Sequence, residues 1–164
     1  DELPGGTGGS GIVYVFDRVG STFTEVGILT GYYNSSGSFG KSVACSSDGN
    51  VIVIGSKQNL SGSASQSGMV YVFDRQYSGI GATFTPVGIL TGSHADDAND
   101  HFGESVACSA DGENIVIGAR YTGDGTAEGA AYVYDRVGNT TSFTQVGILK
   151  GTYAVDNFSN KTIQ

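Results

Sequence analysis

"HFGESVACSADGENIVIGARYTGDGTAEGAAYVYDR", residues 101–136, decides the fold of this chain, because residues 38–75 carry a near-copy of it. The earlier copy reads "SFGKSVACSSDGNVIVIGSKQNLSGSASQSGMVYVFDR". A second phrase occurs three times, as "FTEVGILTG", "FTPVGILTG" and "FTQVGILKG", beginning at Phe23, Phe84 and Phe143. Copies at a regular spacing, here about 60 residues, indicate a repeat protein in which each copy is one structural unit.

The sequence of each unit predicts four short strands. "KSVACS" alternates small and apolar residues, and the Asp-Gly pairs at 48–49 and 111–112 that follow it suit the positive φ angles of a hairpin turn. "VIVIGS" and "NIVIGA" are apolar runs typical of a strand covered on both faces. "VYVFDR" alternates valine with aromatic residues, and "FTPVGIL" supplies the fourth strand. No segment has helical periodicity, so we predict an all-β fold of tandem four-stranded antiparallel blades of β-propeller type.

The repeat divides the chain into four parts. Residues 1–38 form a half repeat that carries only the outer strands of a blade. Residues 39–101 and 102–157 are full repeats, and residues 158–164 are the stub of a further one. The chain therefore holds about two and a half blades.

Composition excludes several classes of partner. Among 164 residues there are 27 glycines, and the net charge is −8 with a pI of about 4.4. Nucleic acids and anionic membranes bind basic surfaces, so neither is an expected partner. No apolar run approaches the roughly 20 residues of a membrane-spanning helix, so no membrane span is predicted.

Five asparagines lie in the N-x-[ST] pattern of N-glycosylation: Asn34, Asn59, Asn139, Asn157 and Asn160. Asn157 is the weakest of them, because the phenylalanine that follows it is expected to be buried. Coincidence in a Ser/Thr-rich chain is the alternative explanation. We predict an N-glycosylated protein, located outside the cell or on its surface.

The Phe-Gly pairs at 39–40 and 102–103, with Ile-Gly-Ser at 54–56 and Ile-Gly-Ala at 117–119 downstream, resemble FG-GAP repeats. These are the blades of integrin α-subunit propellers and of many extracellular proteins. The resemblance implies a propeller fold and a role in adhesion, recognition or surface architecture, without catalysis.

Calcium is the cofactor that the resemblance raises, because integrin-type blades often carry a loop of the pattern D-x-[DN]-x-[DN]-G-x-x-D. Only Asp48 and Asp111 stand at the matching places, and one carboxylate cannot hold calcium, so turns are predicted there. The other acidic stretch, "HADDANDH", carries weak candidate metal ligands: Asp96, Asp97 and Asp100, flanked by His94 and His101. A solvated polar loop is the favoured interpretation, so no cofactor is expected beyond N-linked glycans.

Enzyme signatures are absent from the sequence. It contains no G-x-S-x-G, H-E-x-x-H or C-x-x-C motif, and its two histidines belong to no evident nucleophile–base pair. We therefore predict that the protein is not an enzyme.

Cys45 and Cys108 occupy the same position in successive units. Three states are open to them: a disulfide with each other, buried free thiols, or a bridge to another chain. Buried free thiols are favoured, because equivalent positions on neighbouring blades are expected to lie too far apart for a disulfide.

Three Asp-Arg pairs recur at the ends of the "VYVFDR" strands, at 17–18, 74–75 and 135–136. A structural role is predicted, in which aspartate accepts backbone N–H groups and arginine lies across exposed aromatic rings. The tyrosine and phenylalanine stripe of the same strands is expected to pack between blades.

Closed propellers have roughly four to eight blades, more than this chain supplies, so it is either a fragment or is completed by other copies. The groups expected to self-associate are Val13, Tyr14, Val15 and Phe16 of the half blade, with Phe158 and Ile163 of the stub. The predicted function is a structural subunit of an extracellular fibre or surface assembly, with itself as partner. The alternative is a fragment of an adhesion propeller that binds an extracellular protein or glycan.

Overall fold

The computed structural model describes residues 11–31, 38–56, 67–78, 81–92, 101–120, 129–138 and 140–150. These ranges contain ten β-strands and no helix, which confirms the predicted all-β fold.

The strands form three antiparallel sheets. Blade 1 has two strands, β1 (Val13–Val19) and β2 (Thr22–Leu29). Blade 2 has four, β3 (Ser42–Cys45), β4 (Val51–Ser56), β5 (Met69–Ser78) and β6 (Gly81–Leu90). Blade 3 has four, β7 (Ser105–Cys108), β8 (Asn114–Ala119), β9 (Ala130–Arg136) and β10 (Phe143–Lys150).

Each strand pairs with the next in the chain, in the orders β3-β4-β5-β6 and β7-β8-β9-β10. This meander is the arrangement of a propeller blade, so the predicted four-stranded antiparallel unit is confirmed. Within the described ranges the sheets do not close into a ring.

The Asp-Gly pairs form the tight turns that the sequence predicts. Gly49 and Gly112 have φ angles of 72° and 79°, which residues with a side chain rarely adopt. Asp48 Oδ1 accepts the Ser46 hydroxyl at 2.6 Å and the Asn50 N–H at 3.0 Å. The Asp48 side chain therefore stabilises the turn by bonding to residues on both sides of it.

A β-bulge recurs at one place in the outermost strand pair of every blade. The extra residues are Val26, Val87 and Val146, each of which has no partner where its neighbours pair with β1, β5 or β9. A bulge bends its strand and increases the local twist. In each strand the next residue is a glycine, Gly27, Gly88 or Gly147.

The core lies between blades. Strand β4 is buried along its whole length, which confirms that "VIVIGS" is covered on both faces. Strand β8 differs: Ile115 and Ile117 are fully buried, whereas Asn114 and Val116 are exposed. The expectation of two covered faces is wrong for "NIVIGA", because no sheet in the described part of the chain packs on the far side of blade 3.

Candidate blade-stacking interface

Successive side chains of a strand point to opposite faces, so strands β1, β5 and β9 give each blade two different faces. We call one the aromatic face: Tyr14, Phe16 and Arg18 in blade 1, Tyr71, Phe73 and Arg75 in blade 2, Tyr132, Tyr134 and Arg136 in blade 3. We call the other the valine face: Val13, Val15 and Asp17 in blade 1, Val70, Val72 and Asp74 in blade 2, Ala131, Val133 and Asp135 in blade 3.

The aromatic face of each full blade packs on the valine face of the blade before it. Val13 and Val15 join the core formed by Tyr71 and Phe73, and Val70 and Val72 join the core formed by the blade 3 tyrosines. The aromatic stripe of blades 2 and 3 therefore lies between blades, as predicted.

The phenylalanine of each Phe-Gly pair fills this interface. The Phe39 ring meets Tyr71 edge-on with centroids 5.2 Å apart, and Phe102 meets Tyr132 at the same distance. Both phenylalanines are buried. Phe102 also donates its N–H to the Ser67 carbonyl at 2.9 Å, which fastens the start of blade 3 to blade 2.

An ion pair crosses each interface. Arg75 donates two hydrogen bonds to the carboxylate of Asp17, at 2.7 and 2.5 Å, across 58 residues of sequence. Arg136 makes the same two-pronged contact with Asp74, at 2.7 and 2.5 Å, across 62 residues. The Arg75 hydrogen bonds lower the pKa of Asp17 below its usual value.

These ion pairs correct one prediction and confirm another. Asp17 and Asp74 accept guanidinium groups of the next blade, so the expectation that they accept backbone N–H groups is wrong. The expectation that arginine lies across aromatic rings is confirmed, because the Arg75 guanidinium is 4.2 Å from the ring centre of exposed Tyr77. Arg136 lies 5.3 Å from the ring of Phe143.

A ring-on-glycine contact completes the interface. The ring of Phe84 in blade 2 lies directly on Gly27 of blade 1, and the ring of Phe143 in blade 3 lies on Gly88 of blade 2. A β-carbon placed on Gly88 would stand 2.7 Å from Phe143 Cε2, closer than real contacts allow. In blades 1 and 2, the glycine after the bulge therefore contacts a ring from the next blade.

In the described part of the chain no blade packs on the aromatic face of blade 1. Tyr14 is 46% exposed and Phe16 50% exposed, whereas Tyr71 and Phe73 are 0% and 5% exposed. The Phe23 ring is exposed as well, and Arg18 lies over it at 5.7 Å. The valine face of blade 3 also lacks a blade against it in the described part of the chain, with Asp135 half-buried.

Only part of the predicted self-association set fits this geometry. Tyr14 and Phe16 are exposed, but Val13 and Val15 are already packed against blade 2. The expectation that these two valines need a partner is wrong, because they point to the opposite side of β1. Phe158 and Ile163 lie outside the described residues.

Cys45 and Cys108 are free thiols. Cys45 is exposed, so the expectation of a buried thiol is wrong there. Ala44 packs toward blade 3, which turns Cys45 away from Cys108 and toward the side where blade 1 has only two strands. Cys108 is half-buried against the core, and burial raises the pKa of its thiol to about 11, with the nearby Cys45 as a smaller cause.

No metal centre is formed within the ranges that the structure describes. Asp111 accepts hydrogen bonds from the Ser109 hydroxyl and the Glu113 N–H, which lower the pKa of its carboxyl, and the Asp48 pKa is lowered in the same way. The candidate ligands His94, Asp96, Asp97 and Asp100 lie outside the described residues. His101 is described, and its Nδ1 is 3.8 Å from a carboxylate oxygen of Glu104.

All five predicted glycosylation sites, Asn34, Asn59, Asn139, Asn157 and Asn160, lie outside the described residues. Their modification stays a prediction.

A cleft of about 390 Å³ lies between blades 1 and 2, at the outer strands. Strand β2 and the Phe73, Phe84 and Pro86 side chains line it. Among the described residues that line it there is no acidic, basic or thiol side chain, so these residues offer no group for general acid–base catalysis.

The family profile described as FG-GAP repeat matches residues 87–134, from the end of β6 into β9. Residues 87–134 are an FG-GAP repeat. The matched FG-GAP segment contains Phe102-Gly103 and Ile117-Gly118-Ala119, two of the motifs that resemble FG-GAP repeats. FG-GAP repeats are typical of extracellular and cell-surface proteins of β-propeller type, and are generally non-enzymatic.

Two further findings accompany the FG-GAP match. No curated protein matches the chain. In the part of the chain that is described, no helix is long and apolar enough to cross a membrane.

Proposed function

We propose that this protein is a non-enzymatic, N-glycosylated extracellular subunit that builds a fibre or surface layer by self-association of its blades. One observation carries the proposal. The aromatic face of blade 1 exposes Tyr14 and Phe16, although the same face is buried in blades 2 and 3.

Covering that face is energetically favourable. Full burial of a large apolar side chain contributes roughly 1.5–3 kcal/mol. Because Tyr14 and Phe16 are each about half exposed, covering both rings offers about that amount in total toward association. Strand β1 also pairs only with β2 among the described residues, whereas its counterpart β5 has a strand on each side. An unpaired strand edge is a template for pairing with another chain.

We propose that residues 157–164 of a neighbouring copy add a strand to the free edge of β1. Phe158 stands in the repeat where Phe39 and Phe102 stand, and Ile163 gives the segment a second apolar group. An extended segment can join a sheet edge as an added strand, through main-chain hydrogen bonds and side-chain pockets.

The test is the size and shape of the purified chain over a range of concentrations, by light scattering and negative-stain imaging. We expect fibres or large particles from the unaltered chain and monomers from the double variant Tyr14→Ser with Phe16→Ser. Val137→Ser is the matched control, since it removes an exposed apolar side chain from a turn of blade 3. Deletion of residues 157–164 should reduce assembly while blades 2 and 3 stay folded.

A chain that stays monomeric at high concentration would contradict the self-association proposal. That result would favour the alternative, a segment of an adhesion propeller whose ligand is an extracellular protein or glycan. If the double variant Tyr14→Ser with Phe16→Ser still assembles, self-association does not depend on the aromatic face of blade 1.

A further inference from the structure

The two outermost faces of the described blades match each other as the internal faces do. We propose that the aromatic face of blade 1 in one copy docks on the valine face of blade 3 in a second copy, with Arg18 on Asp135 and Phe23 over Gly147. This inference rests on the self-association proposed above and names the surfaces that would meet.

Charge is the first match. Arg18 aligns in the repeat with Arg75 and Arg136, and Asp135 aligns with Asp17 and Asp74. Those four counterparts are joined in two-pronged ion pairs, but in the described part of the chain neither Arg18 nor Asp135 has an oppositely charged partner. Asp135 accepts a hydrogen bond from the neutral Asn114 side-chain amide, at 2.9 Å.

Arg18 is already arranged as Arg136 is, although the Nε of Arg75 makes no such contact. The Arg136 Nε–H donates to the carbonyl of Thr140 at 2.6 Å while its terminal nitrogens hold Asp74. The Arg18 Nε–H donates to the carbonyl of Gly20 at 2.8 Å. Because a loop carbonyl fixes the guanidinium in both, Arg18 loses little side-chain freedom on meeting a carboxylate.

Shape is the second match. Phe84 and Phe143 each cover a glycine of the preceding blade, whereas Phe23 is 64% exposed. Gly147 is the corresponding glycine of blade 3, and a β-carbon placed there would meet nothing nearer than Val133 at 3.9 Å. Blade 1 therefore offers an exposed ring, Phe23, and blade 3 offers a glycine, Gly147, that could receive it.

The contact has a direction. The aromatic and valine faces are different surfaces, so each copy would offer one to the copy before it and the other to the copy after it. Such a heterologous contact produces a ring if the rotation closes and a filament if it does not.

Charge reversal tests the contact in the full chain. We expect Arg18→Glu alone and Asp135→Arg alone each to weaken association by about tenfold or more, because like charges would face each other. The double variant carrying both changes should assemble again, as should an equimolar mixture of the two single variants, since every contact would then join opposite charges. Sedimentation velocity measures the sizes, and circular dichroism checks that each variant is folded.

A steric variant gives an independent measurement. Gly147→Ala leaves room within its own copy but would obstruct the Phe23 ring of a second copy, so it should reduce association without changing the melting temperature. Gly20→Ala is unsuitable as its control, because Gly20 has a positive φ angle. Thr85→Ser, at an exposed position of blade 2, serves instead.

Three outcomes are decisive. Assembly of both single charge variants at the unaltered level would overturn the docking and leave self-association through the β1 edge standing. Failure of the double variant and of the mixture to assemble would also overturn the docking. An unaltered chain that does not self-associate would overturn the proposed function and this inference together.

Discussion

Asp74 on β5 and Arg136 on β9 form a two-pronged ion pair that joins blade 2 to blade 3, although 62 residues separate them in the chain. The Arg136 side chain is only 2% exposed and that of Asp74 20% exposed. The pair is therefore partly shielded from water, where a hydrogen bond between charged groups contributes more than at the surface.

Arg136→Met should lower the free energy of unfolding by about 1.5–3 kcal/mol, because it removes hydrogen bonds to a charged group. Urea unfolding measures the change. Arg18→Met is the matched control, with an expected change within about 0.5 kcal/mol at a monomeric concentration, because Arg18 is exposed and lacks a carboxylate partner in the described part of the chain. Equal losses in the two variants would contradict the stabilising role of the ion pair.

Gly88→Ala and Gly147→Ala should differ although both glycines follow the same bulge. The added carbon at Gly88 meets the Phe143 ring, which must move, so we expect a loss of about 1–3 kcal/mol in the free energy of unfolding. At Gly147 the carbon makes only an ordinary van der Waals contact with Val133 at 3.9 Å, so the change should stay within about 0.5 kcal/mol. Thermal or urea unfolding decides, and a Gly88 variant as stable as the original would mean that the ring contact is loose.

Stability should fall as the solution becomes acidic. The hydrogen bonds of Asp17, Asp48 and Asp111 hold their pKa values below the ordinary 3.8, so the unfolded chain binds more protons than the folded chain in acid. Their contribution is complete above the unfolded pKa and is lost as the pH falls through the lower folded values. Urea midpoints between neutral pH and about pH 3 follow this loss.

Asp111→Asn isolates one of these carboxylates. This variant should lose less stability on acidification than the unaltered chain, because one shifted group no longer titrates. A midpoint that rises in acid, or an unchanged slope in the variant, would contradict the assigned hydrogen bonds.

Iodoacetamide should modify Cys45 well before Cys108 at pH 8. Cys45 is exposed, whereas Cys108 is half-buried and its thiol has a pKa of about 11, so about one molecule in a thousand carries the reactive thiolate. Peptide mass mapping over time gives both rates. In Cys45→Ser only the slow reaction should remain, accelerating as the pH rises toward 11. Equal rates would mean that Cys108 is as accessible as Cys45.

Glycopeptide mass analysis of protein secreted from a eukaryotic host should find N-linked glycans at Asn34, Asn59 and Asn139. Each Asn→Gln change should remove one glycan mass and leave the others. Asn50 and Asn114, which lack the Ser or Thr two places on, are internal controls that should stay unmodified. Unmodified asparagines at all three sites would remove the argument for secretion that rests on them.

Local features of this fold could be predicted from the sequence. The regular spacing of "VYVFDR" and "FTPVGIL" located the strands, and the Asp-Gly pairs located turns at Gly49 and Gly112. The alternation within β5 separated an aromatic face from a valine face. These features depend on residues close together in the chain, where turn chemistry and the two-residue period of a strand act directly.

Contacts between units could not be predicted in the same way. An Asp-Arg pair looks like a local unit, but neighbouring strand residues point apart, so the partner of Asp74 is Arg136 and not Arg75. Cys45 and Cys108 are equivalent in sequence, yet one is exposed, because exposure depends on how many strands the adjacent blade has. The seat of Phe143 on Gly88 depends on a bulge that moves the register by one residue.

The Asp-Arg pair has a consequence for how such chains change in length. Each unit brings one acidic group on one side and one basic group on the other, together with one ring and one glycine that receives a ring. After duplication or loss of a whole unit of about 60 residues, every remaining interface between blades would therefore still have its ion pair and its ring-on-glycine contact. Recombination within a gene could lengthen or shorten the array in single steps, without a second mutation to repair the junction. A break in the middle of a unit would instead leave a buried arginine without its counter-ion, so viable length variants should differ by whole units.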